Sequence, residues 1–198
     1  MLRIGLTGGI GSGKTTISNH FRDTYNIPVI DADEISRQLL SPTGKAYIET
    51  VRLFGAECIL DSKNIDRQFL RKKIFANDDL RISLEKIIHP KVQAEITSQV
   101  DMFDTKYCLI VIPLLIESNM QALVDRILVI DTSRQNQLDR VSARDQCSKD
   151  HVEDIVNAQM DSKERLKYAD DIITNNGKRE DLIQQIEQLH QKYLDLTI

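Results

Sequence analysis

The 198-residue sequence contains no tryptophan, few aromatic residues and only three cysteines. Cys58, Cys108 and Cys147 are far apart and form no C-x-x-C pair, so we predict free thiols rather than a disulfide or zinc framework. No apolar run approaches the roughly 20 residues that a membrane helix needs. A predicted strand begins at once, which leaves no space for a signal peptide. These absences predict a cytoplasmic protein with no membrane partner.

The sequence also lacks an excess of positive charge. It has 26 Lys and Arg residues against 30 Asp and Glu residues, for a formal net charge of −4. Such a chain has no overall basic field for nucleic acid, so we expect no nucleic-acid partner. A polyanionic ligand would have to be held by local positive groups. The length of 198 residues suits one globular domain, and a hydrophobic content of 41% is enough for a sizeable core.

Glycine is scarce and unevenly distributed: five of the eight glycines lie between Gly5 and Gly13. Residues 8–15, GGIGSGKT, fit the pattern G-x-x-x-x-G-K-[ST] of a phosphate-binding P-loop. An apolar run, Leu2 to Thr7, precedes the loop, and a helical pattern from Thr15 to Phe21 follows it. This strand–loop–helix order separates a true P-loop from a chance match, so we predict that the segment binds phosphate.

The chemistry of the loop follows from its residue types. Glycines let consecutive backbone N–H groups turn towards an anion, and the helix that starts near Lys14 adds the positive end of its dipole. Lys14 is predicted to reach the β- and γ-phosphates, and the Thr15 hydroxyl to bind Mg²⁺. The nucleotide-binding residues predicted in and after the loop are Gly8, Gly9, Gly11, Ser12, Gly13, Lys14, Thr15 and Thr16.

Continuous apolar runs with helical patterns between them predict an α/β fold. Such runs are typical of parallel strands that are buried on both faces, and the order strand–helix–strand implies right-handed crossovers. We therefore predict a P-loop NTPase with a doubly wound, five-stranded parallel sheet, in which the first two strands are neighbours. The predicted strands are Leu2–Thr7, Ile27–Asp31, Tyr107–Ile112, Arg126–Ile130 and Asp171–Thr174.

Two helical segments interrupt this alternation. The first, residues 34–103, is too long for one crossover helix and is interpreted as an insertion that shapes a second pocket. The second is residues 133–168, with Ser133 as the N-cap of its first helix. A single domain of residues 1–198 then has its core at about 1–33, 104–132 and 169–198. The predicted helices of the insertion are Thr43–Phe54, Asp66–Phe75, Asp78–Ile88 and Pro90–Met102, and a last helix spans Lys178–Tyr193.

Asp31 and Asp33 directly follow the second strand, at the carboxyl edge of the predicted sheet. One carboxylate could accept the proton of an attacking hydroxyl while the other holds Mg²⁺. The alternative is that either residue is the N-cap of a helix that starts near Glu34. Both interpretations stay open for Asp31, whereas the position of Asp33 one residue further beyond the strand favours a functional role.

Arg140 and Arg144 are four residues apart, which places them on one face of a helix where they could clamp phosphoryl oxygens. By spacing alone, a solvated face paired with nearby acids is the more ordinary interpretation. Glu117 follows the third strand and either lies near the catalytic edge or caps the next helix. His89, which precedes Pro90 at a predicted helix start, is interpreted as structural.

Taken together, these motifs resemble the dephospho-CoA kinase family over nearly the whole chain. The P-loop alone is shared with many unrelated NTPases, so the order and combination of motifs give the resemblance its specificity. The matching segments are Thr7 to Thr15, Asp31-Ala32-Asp33, His89-Pro90, Pro113-Leu114-Leu115-Ile116-Glu117, Arg140, Arg144-Asp145 and Asn175-Asn176-Gly177.

The resemblance implies phosphorylation of the ribose 3′-hydroxyl of 3′-dephospho-coenzyme A with ATP and Mg²⁺, the last step of coenzyme A synthesis. It implies that Asp33 is the general base or orienting carboxylate. Asp31 is then the carboxylate that remains for Mg²⁺, together with the Thr15 hydroxyl predicted from the P-loop. Arg140 would bind the ATP phosphates with Arg144 assisting, and Asn175 would lie near the adenine. Residues 34–103 would bind the substrate and residues 133–168 would form a mobile lid.

Three alternatives remain at the level of the sequence. The nearest is another P-loop kinase of small metabolites, acting on a nucleoside monophosphate or a sugar. A GTP-dependent switch would show D-x-x-G and N-K-x-D motifs, and neither occurs. A non-catalytic nucleotide sensor would not need Lys14, Thr15 and Asp33 intact. We expect a monomer or a weak homo-oligomer.

Overall fold

The computed structural model describes residues 1–197, which divide into two compact units. One unit comprises Met1–Asp31 and the chain from Phe103 onward, and the other is Ala32–Met102. The division into core, substrate-binding insertion and lid stays a prediction. No helix within residues 1–197 is both long enough and apolar enough to span a bilayer.

The first unit is built on a parallel sheet, as predicted. Its described strands have the spatial order β2-β3-β1-β4-β5, so β1 lies at the centre and the chain winds to both sides of it. All four pairings are parallel, which confirms the doubly wound fold class. The strands are β1, Leu2–Gly8; β2, Val29–Asp31; β3, Tyr107–Val111; β4, Arg126–Asp131; and β5, Asp171–Thr174.

The predicted pairing of the first two strands is wrong, because β3 lies between them. Val111 of β3 stands opposite Leu6 on one side and Asp31 on the other. Adjacent strands are about 4.8 Å apart, so the end of β2 is roughly 10 Å from β1 and not one strand spacing away. Consecutive strands are often neighbours, but a crossover that skips one position is equally compatible with a right-handed connection.

Two helices cover one face of the sheet: α1, Lys14–Tyr25, and α9, Arg179–Asp195. Their apolar residues pack with Ile4, Leu6 and the matching positions of β3, β4 and β5 in one buried cluster. The opposite face is also covered, since a side chain at Gly5 would meet Leu115 Cδ2 at 2.9 Å. Burial on both faces explains why the strands are continuously apolar in sequence rather than alternating.

Three helices connect β4 to β5, and each begins at a side chain that accepts a backbone N–H. The Ser133 hydroxyl accepts from Asn136 N at 3.3 Å, which confirms the predicted N-cap. Ser148 and Asp161 cap the next two helices in the same way. The helices are α6, Arg134–Asp145; α7, Lys149–Asn157; and α8, Ser162–Leu166.

The second unit is helical, as the sequence predicts. Asp66 and Asn77 provide side-chain caps for its third and fourth helices. The first of its helices begins at Ala32, two residues earlier than expected, and the second begins at Tyr47 rather than Thr43. The helices are α2, Ala32–Leu39; α3, Tyr47–Phe54; α4, Arg67–Ala76; and α5, Asp78–Val100.

The predicted break at His89-Pro90 is wrong, because α5 continues through Pro90. A proline removes one helical N–H and crowds the carbonyl four residues earlier, so some of the helix must be stabilised from outside. Lys91 Nζ donates to Ile87 O at 3.2 Å and forms an ion pair with Glu49 of α3. Buried residues lie on both sides of the proline, Leu84 before it and Val92 after it, so packing keeps the two halves in one helix.

Candidate active site

The candidate site lies where the five parallel strands end. Gly8, Val111 and Thr174 close β1, β3 and β5 at the same edge of the sheet. Ligands of open α/β sheets bind beyond this edge, where the strand order reverses. Here the reversal occurs at β1, since β3 lies on one side of it and β4 on the other. The P-loop connects this central strand to α1.

The backbone of the loop has the conformation that the glycine pattern predicts. Gly11 has φ 70° and Gly13 has φ 100°, a region that glycine occupies without steric cost. Ser12 N donates to Gly9 O at 3.2 Å and closes the turn. Gly13 is the N-cap of α1, so the loop ends at the positive end of a helix dipole.

Lys14 lies over the loop. Its ammonium donates to Gly8 O at 2.7 Å and to Gly9 O at 3.0 Å. Thr15 and Thr16 follow in the first turn of α1, and both are exposed. The structure therefore brings together the predicted residues from Gly8 to Thr16 around one turn of backbone.

A nucleotide phosphate fits this set of groups. The Ser12 hydroxyl is buried, and its oxygen has no hydrogen-bond partner among the described residues. A buried hydroxyl in that condition is costly unless a ligand or water completes its bonding. The loop supplies backbone N–H groups and one ammonium, which are the donors that a phosphate needs.

Two further predicted residues reach the loop from other elements. Arg140, on α6, donates to Gly11 O at 3.4 Å and to Asn175 O at 2.9 Å. Asn175 follows β5 and donates through Nδ2 to Ser12 O at 2.7 Å. A cleft of about 300 Å³ opens beside them and is lined by Thr16, Arg140 and Asn175 among others. The site thus has a cationic side chain and an amide next to the phosphate loop.

Arg144 and Arg140 have different hydrogen-bond partners. Its guanidinium donates to the carboxylate of the adjacent Asp145, with Nε 2.7 Å from Oδ1, and the side chain is well exposed. This hydrogen bond raises the pKa of Arg144 above its ordinary value. Of the two arginines that share a helix face, only Arg140 contacts the loop, and assistance by Arg144 stays a prediction.

Glu117 has a partner that the sequence did not predict. The chain after β3 forms turns rather than an α-helix, so Glu117 caps no α-helix. Its Oε1 accepts from Arg165 at 3.3 Å and from Met160 N at 3.4 Å. Arg165 is only 4% exposed, and a Cβ at Gly9 would be 3.5 Å from its guanidinium. An ion pair between a buried arginine and a half-buried glutamate therefore lies against the loop.

Sequence reasoning also missed three polar side chains that bind the backbone of the loop. Gln137 Nε2 donates to Ile10 O at 2.8 Å, and Gln159 Oε1 accepts from Ile10 N at 2.9 Å. Thr132 donates to Ser12 O at 3.3 Å. A glutamine on a polar helix has no local signature, and it is the burial of Gln137 that distinguishes it from the exposed Gln135 on the same helix.

Comparison with known proteins gives a consistent result. A sequence model of the family described as "CoaE: Dephospho-CoA kinase" matches residues 2–181. A protein named dephospho-CoA kinase from Photobacterium profundum is 41% identical over 194 residues, which cover 98% of this chain and 96% of that protein.

The chain belongs to the dephospho-CoA kinase family. The family and the kinase class predicted from the sequence are confirmed, and with them the family's reaction as the last step of coenzyme A synthesis.

Solved structures support the same fold. A crystal structure of a protein from Thermus thermophilus matches with a TM-score of 0.85 and 27% identity, covering 96% of this chain and 97% of that one. A dephospho-CoA kinase from Campylobacter jejuni matches with a TM-score of 0.70 and 27% identity, covering 99% and 98%. The sheet and the helices around the loop are thus those of a P-loop kinase.

The two aspartates of the dephospho-CoA kinase motif Asp-Ala-Asp fall on either side of a unit boundary. Asp31 ends β2 and is exposed, and because α2 starts at Ala32, its interpretation as an N-cap stays open. Asp33 is exposed in the first turn of α2, in the other compact unit, so its placement at the loop stays a prediction. Within residues 1–197, no three His, Cys, Asp or Glu side chains are grouped to hold a metal. Mg²⁺ is commonly bound by one or two carboxylates together with substrate phosphates.

Proposed function

We propose that the chain transfers the γ-phosphoryl group of ATP to the ribose 3′-hydroxyl of 3′-dephospho-coenzyme A, giving coenzyme A and ADP. The observation that supports this most directly is the Lys14 ammonium, which lies over the glycine loop at the end of the central strand β1. That loop belongs to a chain that matches dephospho-CoA kinases over nearly its whole length.

The loop and Lys14 would bind the phosphates of ATP. Phosphoryl transfer depends on position and on charge stabilisation more than on covalent chemistry, so donors that are fixed beforehand are the main requirement. Lys14 is held by two carbonyls of the loop itself, and this contact supports the proposal that its positive charge would stabilise the charge that develops on the phosphoryl group. Arg140, which already contacts the loop, would bind the same phosphates, with Arg144 assisting.

A magnesium ion would be held by the Thr15 hydroxyl and by Asp31, directly or through water. When bound, the ion neutralises phosphate charge during transfer. An exposed hydroxyl in the first turn of α1 and an exposed carboxylate at the end of β2 are hard oxygen ligands of the kind that Mg²⁺ prefers.

Asp33 would accept the proton of the 3′-hydroxyl or orient that hydroxyl for attack. A positioned base of this kind contributes about 10²–10⁴ in rate. Asn175, already in contact with Ser12 O, would lie near the adenine. We further propose that residues 34–103 bind the acceptor and that residues 133–168 act as a lid that excludes water.

Two properties of the whole protein belong to the same proposal. We place the enzyme in the cytoplasm, as expected for a chain with widely spaced free thiols. We expect it to act as a monomer or a weak homo-oligomer, without a nucleic-acid or membrane partner.

The test is release of ADP from ATP and Mg²⁺ with and without 3′-dephospho-coenzyme A. We expect turnover only with that acceptor, and none with coenzyme A, adenosine monophosphate or gluconate. The variant Lys14→Met, which keeps the length of the side chain and removes its charge, should lose at least 100-fold in kcat. Equal turnover with adenosine monophosphate or gluconate would instead assign a different metabolite kinase.

A further inference from the structure

Backbone carbonyls of the P-loop accept hydrogen bonds from side chains in three other parts of the chain. The carbonyl of Ile10 accepts from Gln137, that of Gly11 from Arg140, and that of Ser12 from Asn175 and Thr132. Three consecutive carbonyls of the loop therefore have side-chain donors. What these contacts do for nucleotide binding goes beyond the proposed function and rests on it.

Ile10 is held on both of its polar atoms, by two different glutamines. Gln137 Nε2 lies 2.8 Å from Ile10 O, and Gln159 Oε1 lies 2.9 Å from Ile10 N. A backbone carbonyl only accepts and a backbone N–H only donates, so the chemistry fixes which end of each amide faces the loop. Gln137 acts as a donor and Gln159 as an acceptor. We call this pair the glutamine clamp.

The clamp orients the peptide that joins Ile10 to Gly11, and other side chains orient the peptide that joins Ser12 to Gly13. The peptides of residues 1–197 are all trans, so each carbonyl points opposite to the N–H of the next residue. Because Gln137 holds the Ile10 carbonyl, the N–H of Gly11 points away from Gln137. Asn175 and Thr132 hold the Ser12 carbonyl and so orient the N–H of Gly13 in the same manner. Those are groups with which a P-loop binds phosphate.

The glycines of the loop are compatible with this contact in a way that other residues are not. A Cβ at Gly9 would lie 2.2 Å from Gln137 Nε2, and a Cβ at Gly11 would lie 3.1 Å from Gln137 O. Glycine at these positions thus lets α6 approach the loop closely enough for its glutamine to reach Ile10. The clamp and the glycine spacing are parts of the same packing arrangement.

We infer that Gln137 and Gln159 are positioning residues for ATP. With the proposed lid in the described position, where both glutamines contact the loop, they fix the Ile10 peptide so that the loop is set for phosphate before ATP binds. Neither needs to touch the nucleotide. A loop without the clamp would have to be ordered by ATP itself, which lowers the affinity for ATP and leaves the affinity for the acceptor unchanged. The loss should be about tenfold, since one hydrogen bond to the backbone is removed.

The experiment titrates ATP into each variant by calorimetry, without acceptor, and measures melting temperature in parallel. Gln137→Met should bind ATP about tenfold more weakly and raise KM for ATP with KM for dephospho-coenzyme A unchanged. Gln135→Met is the matched control. Gln135 is exposed on the same helix and its amide donates to Asp139 one turn later, so the ATP affinity of this variant should equal that of the native protein.

Glutamate substitutions separate the donor role of Gln137 from the acceptor role of Gln159. Gln159→Glu keeps an acceptor for Ile10 N and should stay within about threefold of native affinity, whereas Gln159→Met should lose about tenfold. Gln137→Glu loses the donor and should be at least as weak as Gln137→Met. Gln135→Glu measures the effect of the added charge alone. If Gln137→Met does not fold, the Gln159 pair decides the question.

Native ATP affinity in Gln137→Met and Gln159→Met, with or without a lower melting temperature, would overturn the inference and leave the two residues a purely structural role. Failure of the proposed function is distinguishable. In that case the native protein would bind ATP but release no ADP with dephospho-coenzyme A. The titrations with ATP would still test the clamp.

Discussion

The hydrogen bonds of the P-loop span more of the sequence than those of the helical unit Ala32–Met102, where Lys91 of α5 bonds Glu49 of α3 across 42 residues. Ile10 is bonded by side chains 127 and 149 residues away, and Ser12 by one 163 residues away. In the helical unit, Arg81 bonds Asp78 and Glu85, three and four residues away on its own helix. Such local pairs depend on the helix alone, whereas the loop depends on the complete fold around it.

The two regions also differ in burial. Ser12 is 1% exposed and Arg165 is 4% exposed, and both lie at the loop. The helical unit leaves large apolar side chains at its surface, with Phe75 88% exposed and Ile48 64% exposed. Changes at the loop should therefore alter stability and ATP binding together, while changes of exposed side chains in the helical unit should leave stability and ATP binding close to native. The predictions that follow test this contrast, beginning with the residue expected to break it.

Asp33 is the exception that we expect in the helical unit. Asp33→Asn removes the proposed base, so kcat should fall by about 10²–10⁴ while calorimetric ATP affinity stays native. Glu34→Gln is the matched control, because Glu34 lies in the same turn of α2 and pairs with Arg37. Its kcat should be unchanged. Near-native turnover in Asp33→Asn would remove that residue from the mechanism.

Variants of two arginines allow the ion pairs at the loop and in the helical unit to be compared directly. Arg165→Met leaves Glu117 without its buried partner, and the free energy of unfolding should fall by roughly 3 kcal/mol in urea titrations. Arg81→Met removes two pairs that are exposed to solvent, and the urea midpoint should not move measurably. Equal losses in the two variants would show that burial does not distinguish the regions.

Alanine substitution of two glycines with positive φ allows steric crowding at the loop and in the helical unit to be compared. Gly55, in the helical unit, has φ 80° and nothing within 4 Å of an added Cβ, so Gly55→Ala costs only backbone strain, about 1–3 kcal/mol. A Cβ at Gly11 would also meet Val141 and the backbone of Gln137, which adds about 1–3 kcal/mol of overpacking. Chemical unfolding measures both costs, and calorimetry should show weaker ATP binding only for Gly11→Ala.

The smallest effect is expected in acid. Desolvation opposes ionisation of Asp171, but hydrogen bonds from Lys192 and Arg126 outweigh it and hold the pKa of Asp171 below its usual value. A lowered folded pKa gives stability that is present above the unfolded value, near 3.9, and lost as the pH falls through the folded one.

Between pH 4 and pH 2, the free energy of unfolding should therefore fall by at most about 1.4 kcal/mol per pH unit because of this group. Urea titrations of native protein and Asp171→Asn over that range would measure the difference in slope. Parallel slopes would show that Asp171 contributes nothing to acid sensitivity.

Much of the fold follows from the sequence for a physical reason. Strands buried on both faces must be apolar throughout, so the runs that became β1, β3 and β4 are visible without a structure. The loop is equally visible, because glycine with positive φ and a following helix leave a fixed pattern. Helix caps such as Ser133 are local and were also predictable.

The errors and omissions concern contacts between distant segments. Nothing near Pro90 in sequence indicates that packing on both sides holds α5 together, and nothing in β2 indicates that β3 separates it from β1. Gln137, Gln159 and Arg165 lie in polar helical segments where such residues are ordinary. Their importance comes from what the fold brings next to them, which a local pattern cannot record.

The insertion of β3 between β1 and β2 has a consequence during synthesis. Among the described strands, β2 pairs only with β3, and β1 pairs only with β3 and β4. Both N-terminal strands therefore leave the ribosome without a partner, and remain so while all of Ala32–Met102 is added at roughly 5–20 residues per second. The helical unit, whose contacts are short in sequence, can fold during that interval. The sheet around the nucleotide loop can begin to form only after Tyr107–Val111 has emerged, and the loop itself completes its hydrogen bonds only after Asn175 has emerged.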